Sequence, residues 1–289
     1  ASRYVVGEVE RFDQKNEAFK RCTWDPAMRE LARPYYAKYD GRGMPKEKNG
    51  YTLKELALEM AGWHVVLDFG SGMFTGGEGL EAWEAKPVGR TDTTRVPKGL
   101  KLETNDRAEM TRIVKRAARL YGASQVGACY LDRRWLYSHS YHTLKRESKP
   151  VEIGEEYICA IVMAHEMDYD GIKQAPNHIA SAAASTIYSR MTVTVALLAQ
   201  YIRGLGYKAI PMGNDTANSI PLAIDAGLGE LSRMGLLITP KYYGPRVRLN
   251  KIFTDMPLMP DSPIEFGAWD FCVKCEKCAR FCPGQAIMY

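Results

Sequence analysis

Twelve residues near the end of the sequence, Cys272-Val-Lys-Cys275-Glu-Lys-Cys278-Ala-Arg-Phe-Cys282-Pro283, constrain the fold more than any other stretch. They read C-x2-C-x2-C-x3-C-P, a spacing of iron–sulfur proteins. Three thiolates three residues apart lie on one compact loop and reach three corners of an iron–sulfur cube. Zinc sites instead pair two C-x2-C knuckles or add histidines across a longer gap, and no second pair is present. The run predicts a four-iron four-sulfur cluster on Cys272, Cys275 and Cys278. In two-cluster proteins the cysteine before the proline ligates the other cluster, so Cys282 either does that or closes a single cluster. The sequence ends seven residues after Cys282 with no second half-motif. The favoured expectation is the front part of a longer protein.

Composition narrows the rest. At 289 residues the chain can bury a sizeable core, as one large domain or two. A net charge of +5 from 39 basic and 34 acidic residues, well mixed, argues little for nucleic-acid binding. No apolar run approaches the roughly 20 residues that span a bilayer. The start, Ala-Ser-Arg-Tyr, shows no initiator Met and no export signal, as expected of a trimmed chain. The cysteines outside the motif, Cys22, Cys129 and Cys159, are scattered and read as free thiols rather than a disulfide framework.

Residues 1–50 carry turn formers and little periodicity and read as an irregular extension. From Thr52, the apolar positions Leu53, Leu56, Ala57 and Met60 predict one face of a helix. The passage Gly70-Ser-Gly-Met-Phe-Thr-Gly-Gly77 lacks the pattern of a phosphate-binding loop and reads as a loop. Asn105 or Asp106 caps a helix with the face Met110, Ile113, Val114, Ala117 and Leu120, ended by Gly122. Strands are expected at Gln125–Leu131, Tyr157–Met163, Lys208–Met212, Leu236–Thr239 and Val247–Thr254. A long helix from Pro176 or Asn177 to about Tyr201 and another over Ser219–Gly229 lie between them. Strands alternating with helices predict an α/β layered domain over 105–258, after an N-terminal extension (1–104) and before an iron–sulfur segment (259–289).

The ordered blocks Ser219-Ile-Pro-Leu-Ala-Ile-Asp-Ala-Gly-Leu-Gly-Glu230, Gly235-Leu-Leu-Ile-Thr-Pro240, Gly244-Pro-Arg-Val-Arg248 and Phe253-Thr-Asp-Met-Pro-Leu258, followed by the cysteine run, resemble the corrinoid-dependent reductive dehalogenases. Arg11-Phe-Asp13 and Trp24-Asp-Pro26 are similar to the mature N-terminal region of that family. The resemblance implies a nitroreductase-like corrinoid-binding core, α/β or α+β layered, with an appended ferredoxin-like iron–sulfur segment. It implies a cobalamin-type corrinoid and two four-iron four-sulfur clusters, of which one half-motif stands in this sequence. The implied activity is removal of halide from an organohalide with electrons from a respiratory donor. The implied place is the outer face of the cytoplasmic membrane, after twin-arginine export, on a small anchor subunit. No nucleic-acid partner is expected.

Reductive cleavage of a carbon–halogen bond needs a proton from a positioned acid. The resemblance places that role on Tyr188, with Arg248, or Arg246, stabilising its phenolate and Asn214 as a third polar member. One additional tyrosine at 242–243 leaves the choice between the two arginines open. Periodicity alone puts Tyr188 in a core stripe with Ala184, Met191, Val195 and Leu198. Taken alone, Asn214 is equally a left-handed turn residue and Arg248 a solvated strand arginine. Corrinoid contacts are expected at Gly213, Asn214 and Ser219, whose turn offers backbone N–H groups, and at Ala182, Ala183 and Ala184, whose smallness admits a macrocycle. Trp63, Trp83, Trp135, Tyr137 and Tyr141 are candidates for an apolar substrate pocket. None of the five histidines stands in a D-x-H-x-x-G loop that would ligate cobalt from below.

Two other readings stay open from sequence. An epoxyqueuosine reductase shares a corrinoid and clusters but acts on transfer RNA, for which a basic groove is expected. An electron-carrier module needs only the cysteine segment and leaves the long α/β part without a task.

Overall fold

The computed structural model describes residues 4–40, 45–70, 77–84, 96–97, 99–240, 243–282 and 284–289, with 34–40 as backbone only. Most of the glycine-rich passage 70–77 and one of the two tyrosines at 242–243 thus lie outside the described residues. The chain opens with the helices α1 (Ala18–Trp24), α2 (Pro26–Asp40), α3 (Leu53–Asp68) and α4 (Arg107–Leu120). Strands β1 (Gln125–Tyr130), β2 (His139–His142), β3 (Glu147–Pro150) and β4 (Cys159–Glu166) follow. Then come α5 (Tyr169–Lys173), α6 (His178–Gly204), β5 (Ala209–Met212) and α7 (Ser219–Asp225). Last are β6 (Glu230–Leu231), β7 (Leu237–Ile238), β8 (Val247–Thr254), α8 (Ala268–Cys275) and α9 (Lys277–Arg280).

Local chemistry explains the main elements. Asp106 accepts from the Glu109 N–H at 2.9 Å and starts α4, and Gly122 ends it with φ +112°, a conformation glycine adopts at no steric cost. Asn177 accepts from the N–H groups of Ile179 and Ala180, starting α6. β4 is buried from Cys159 to His165, as a near-continuous apolar run requires of an inner strand. The main sheet has the order β1-β4-β8-β5, and every pairing in it is antiparallel. Alternation of strand and helix in sequence therefore does not yield a parallel sheet here. Helices and sheet are mixed, as expected, but the connections return each strand against its neighbour.

Strand period sorts the side chains onto two faces. Ile161 and Met163 of β4 and Ile252 of β8 join Val195, Leu198 and Ile202 of α6 and Met110 and Val114 of α4 in one core. Ala160, Val162, Leu249 and Phe253 point the other way, against Leu222 and Ala223 of α7. Arg248 and Asn250 share the parity of Ile252 and so face α6. Lys251 shares the parity of Leu249 and Phe253 and faces α7. The position of the site follows from this alternation.

Two sequence expectations are corrected. The predicted apolar face of α3 is inverted: Leu53 and Met60 are exposed while Glu55, Glu59 and Val66 are buried. The reason is polar pairing. Glu55 accepts from the Thr52 backbone N–H at 2.9 Å in a capping box. Glu59 takes the His178 imidazole and the Ser181 hydroxyl, both at 2.6 Å, and so fastens α3 to the start of α6. The second correction concerns residues 1–50, which hold α1 and α2 rather than an irregular extension alone.

By length and composition alone α6 could cross a membrane, although 56% of its most apolar window is buried within the protein. Its serines explain the placement. Ser185 and Ser189 donate to the carbonyls of Glu59 and Gly62, at 3.1 and 2.6 Å, so α6 is the helix the core is built on. Beyond β8, Asp261 accepts from Lys115 (2.5 Å) and the Ala128 N–H (2.7 Å). Glu230 accepts from the N–H groups of Phe266 and Ala268. The cysteine-bearing segment is thereby docked on the core.

Candidate functional site

Three elements meet at Tyr188. The tyrosine lies on α6, and its oxygen accepts a 3.0 Å hydrogen bond from Asn214 Nδ2, in the turn after β5. From β8 the Arg248 guanidinium sits 5.1 Å from the ring centroid. Trp63 of α3 stacks on the same ring, centroids 5.4 Å apart and planes 23° apart. Tyr188 is half-buried and, like Ala184, packs against Met167, Ile187 and Met191, so the helical stripe that periodicity predicts holds but is only partly covered here. Asn214 is exposed and is not the left-handed residue of its turn, which is Thr216 at φ +68°.

The structure brings Tyr188, Asn214 and Arg248 together and takes Arg246 elsewhere. Arg246 precedes β8, and its carbonyl accepts from the Met167 N–H at 2.9 Å, which sets it at the start of α5. There it pairs with Glu166 (3.0 Å), donates to the Met167 carbonyl (2.7 Å) and lies over the Tyr169 ring. Arg248 differs: its Nε is buried and finds no hydrogen-bond partner among the described residues. A buried donor without an acceptor is costly, and here it belongs to the arginine beside the tyrosine.

The surroundings of these residues are polar and buried. Asn250 Oδ1 accepts from His165 Nε2 (3.0 Å), and Asn250 Nδ2 donates to the Met191 carbonyl on α6 (2.8 Å). Burial pulls the His165 imidazole down to about 4, so this link is neutral at ordinary pH. On the opposite strand face, Lys251 Nζ donates to Gly213 O (2.8 Å), Asp215 O (2.9 Å) and Ser219 Oγ (3.1 Å). Asp215 in turn accepts from the Gly213 N–H and the Thr216 hydroxyl. Thr192, one turn beyond Tyr188, donates to buried Glu81 at 2.9 Å. Tyr188, Asn214, Thr192 and Glu81 line a cavity of about 10 Å³, the size of one water centre. A larger open cleft of about 490 Å³ lies along α3 and α6 at Ala61, Val65 and Val193, and Tyr188 does not line it.

The other expected contacts divide. Gly213 precedes Asn214 and Ser219 starts α7 five residues on; Lys251 takes the Gly213 carbonyl and the Ser219 hydroxyl. Ala182 is buried. A side chain on Gly171 of α5 would collide with Ala183, and Ala184 packs with Met167, Ile187 and Met191. Helix packing thus uses the smallness of these alanines, while Ala183 and Ala184 stay half-buried. Of the aromatic residues, Trp63 alone touches Tyr188. Trp135, Tyr137 and Tyr141 are core, with Trp135 Nε1 bonded to Asp225 and the Tyr137 hydroxyl to Glu17.

Cys272 and Cys275 lie on α8, Cys278 on α9, and Cys282 just beyond. All four are half-exposed free thiols, unlike the buried Cys129 and Cys159. Glu276, in the left-handed region at φ +51°, turns the chain between the two helices. Backbone N–H groups of Ala286 and Gly284, with those of Ile287 and Gln285, point at the Cys282 sulfur and lower its pKa. Amides that favour a thiolate suit a metal ligand, and the four-thiol donor set fits an iron–sulfur cluster. Among the described residues no three or more His, Cys, Asp or Glu side chains converge as a metal site. The thiols are carried on adjoining turns without being gathered.

No histidine stands at Tyr188. His165 and His178 are held by Asn250 and Glu59, His64 pairs with Asp68, and His139 lies beside Ser138. Sequence reasoning missed Trp63 as the partner of Tyr188, and Lys251 and Glu81 altogether. Lys251 left one signal, a lysine inside the apolar strand Leu249-Asn-Lys-Ile-Phe253. Glu81 left none.

No family model matches the sequence. The tetrachloroethene reductive dehalogenase of Sulfurospirillum multivorans is 36% identical over 325 aligned residues, covering 98% of this chain and 64% of that protein. The tetrachloroethene reductive dehalogenase of Desulfitobacterium hafniense is 32% identical over 297, covering 84% of this chain and 54% of the relative. A solved reductive dehalogenase, described as suggesting a mechanism for B12-dependent dehalogenation, superposes with a TM-score of 0.68 at 25% identity. It is covered over 36% of its length by 97% of this chain. The chain thus spans less than two thirds of the proteins it resembles.

Proposed function

We propose, on the premise that this chain is a homologue of the reductive dehalogenases, that it carries the proton-donating side of a corrinoid-dependent reductive dehalogenase. One observation carries the reading: a tyrosine oxygen bonded by Asn214, on a ring set against Arg248 and Trp63. The overall change is R–X + 2 e⁻ + H⁺ → R–H + X⁻. Tyr188 delivers the proton from its oxygen to carbon and is left as a phenolate. A tyrosine has a reference pKa near 10, so the phenolate needs support. The Asn214 N–H and the Arg248 charge supply it, and both are in place before the reaction, so little reorganisation is needed. Trp63 holds the ring plane and offers an apolar wall to a substrate with few hydrogen-bond handles.

A bound corrinoid supplies low-valent cobalt chemistry, and the Gly213–Ser219 turn beside Asn214 is the part of this chain that would meet it. The orphaned Nε of Arg248 fits a site completed by a further group. Cys272, Cys275, Cys278 and Cys282 would hold iron–sulfur clusters, which supply the electrons. The nitroreductase-like description of 105–258, the ferredoxin-like description of 259–289 and an N-terminal unit over 1–104 belong to the same proposal. So do a place at the outer face of the cytoplasmic membrane, a small anchor subunit and a respiratory electron donor. Chlorinated ethenes are the substrates to test first, since the relatives are tetrachloroethene reductive dehalogenases.

The test is cobalt, iron and chloride measured on protein reconstituted with corrinoid and clusters. Bound cobalt and iron, with chloride released from tetrachloroethene under reduction, are expected. Cys275→Ser is expected to lower iron by about half where two clusters are present. Iron without cobalt would instead indicate an electron carrier, and cobalt without chloride from any organohalide would discard the dehalogenase reading.

A further inference from the structure

Lys251 takes no part in the chemistry above, yet its side chain is entirely buried in the middle of β8. Its three hydrogen bonds, at 2.8, 2.9 and 3.1 Å, go to Gly213 O, Asp215 O and Ser219 Oγ. An ammonium carries three protons, and each here has an acceptor. The two carbonyls belong to the residues on either side of Asn214. We propose that Lys251 is a positioning residue that pins the 213–219 turn from beneath, so that the Asn214 amide is held against the Tyr188 oxygen. The proposal rests on the reading of Tyr188 as proton donor.

Three observations support it. First, the turn is strained: Thr216 is β-branched and sits at φ +68°, a conformation that persists only where its surroundings enforce it. Its hydroxyl donates to Asp215 Oδ2 at 2.7 Å and its carbonyl accepts from the Tyr137 N–H at 2.9 Å, so the turn is held from several sides. Second, Asn214 is exposed and its side chain bonds Tyr188, so the amide is aimed mainly by the backbone that Lys251 grips. Third, an apolar residue would fill the space without the desolvation cost of a buried ammonium. Burial draws that ammonium down to about 8, while the charges of Asp215, Glu17 and Glu81 oppose the fall. The group therefore stays protonated at neutral pH with all three donors in use.

Two measurements test the pin. In the cofactor-loaded enzyme, Lys251→Met, Asn214→Ala and the double variant are compared. If Lys251 acts through Asn214, each single change lowers kcat by on the order of 10-fold or more, and the double variant is no slower than Asn214→Ala. A general loosening of the fold would instead multiply the two losses. In this chain without cofactor, Lys251→Met is expected to speed amide hydrogen exchange at 213–219 by about 10-fold or more while β4 stays protected. Multiplied losses, or unchanged exchange in the turn, overturn the proposal. Should Lys251→Met fail to fold, Lys251→Gln, which keeps an amide NH2 as donor, is measured the same way. A wild-type enzyme without dehalogenation would discard the reading of Tyr188, and the exchange measurement would still decide whether Lys251 holds the turn.

Discussion

The guanidinium of Arg248 lies 5.1 Å from the centroid of the Tyr188 ring, although 60 residues of chain separate them. Strand parity turns Arg248 toward α6, and the packing of β8 beneath that helix sets the two side chains at one level. The same ring carries the oxygen that accepts from Asn214, so a cation and a hydrogen-bond donor meet at one side chain. The same neighbours stabilise nothing comparable in a phenylalanine, which makes the hydroxyl testable by itself.

Tyr188→Phe keeps the ring, its stacking on Trp63 and its packing. Its stability cost is expected to be about 1 kcal/mol, that of one hydrogen bond. Dehalogenation in the cofactor-loaded enzyme is expected to fall on the order of 10²–10⁴-fold, as for loss of a general acid. Near-native turnover with cobalt and iron intact would remove Tyr188 from the chemistry.

Arg248→Lys keeps a charge but removes the planar fork, and an intermediate loss of turnover is expected. Arg246→Lys breaks the arrangement with Glu166, Met167 and Tyr169. Its effect should appear in thermal stability, with turnover near that of the wild type. Kinetics of the two variants side by side check the assignment, and the reverse pattern would exchange their roles.

Gly62→Ala tests how α3 places Trp63. A Cβ at Gly62 would collide with Ser185 Oγ and come within 3.0 Å of the Thr186 backbone N. The helices must part, at an expected cost of about 1–3 kcal/mol, measurable by denaturant unfolding. Because Trp63 is the next residue, turnover should drop as well. A stable and fully active Gly62→Ala protein would show that the close approach of α3 and α6 is not needed at the site.

His165 sets an acid limit. Burial holds its imidazole at about 4 in the folded chain, against an ordinary 6.5. Between those values the unfolded chain binds a proton that the folded one refuses, so stability is lost as pH falls from 6.5 toward 4. At about 1.4 kcal/mol per pH unit, the gap amounts to about 3 kcal/mol. Unfolding midpoints of His165→Gln measured from pH 7 to 4 should fall less steeply than those of the wild type, and parallel curves would contradict this assignment.

Much of the scaffold was legible in sequence because its signals are local. Asp106 and Gly122 bound α4, and Asn177 starts α6, since caps act within one turn of helix. β8 runs over the span read from its residues, Val247–Thr254. The inverted face of α3 was not legible, because Glu55 and Glu59 are buried only through partners, one at Thr52 and the others on α6. The packing of the small-residue run at 182–184 was hidden for a like reason: its neighbour α5 leaves no mark on the run itself.

For the site, the sequence alone determined which side chains exist to do chemistry: four thiols at iron–sulfur spacing, a tyrosine on a long helix, an asparagine in a turn and two arginines, one just before a strand and one within it. Spacing and propensity are properties of neighbouring residues, so they survive without knowledge of the fold. Which arginine meets the tyrosine, which tryptophan stacks on it and why a lysine lies inside β8 were decided only by tertiary structure. Arg246 and Arg248 have the same parity and the same chemistry, and only the place where α6 crosses β8 distinguishes them. Lys251 is tolerable in the core only because the carbonyls on either side of Asn214 turn back onto it, and that return is made by the packed turn after β5.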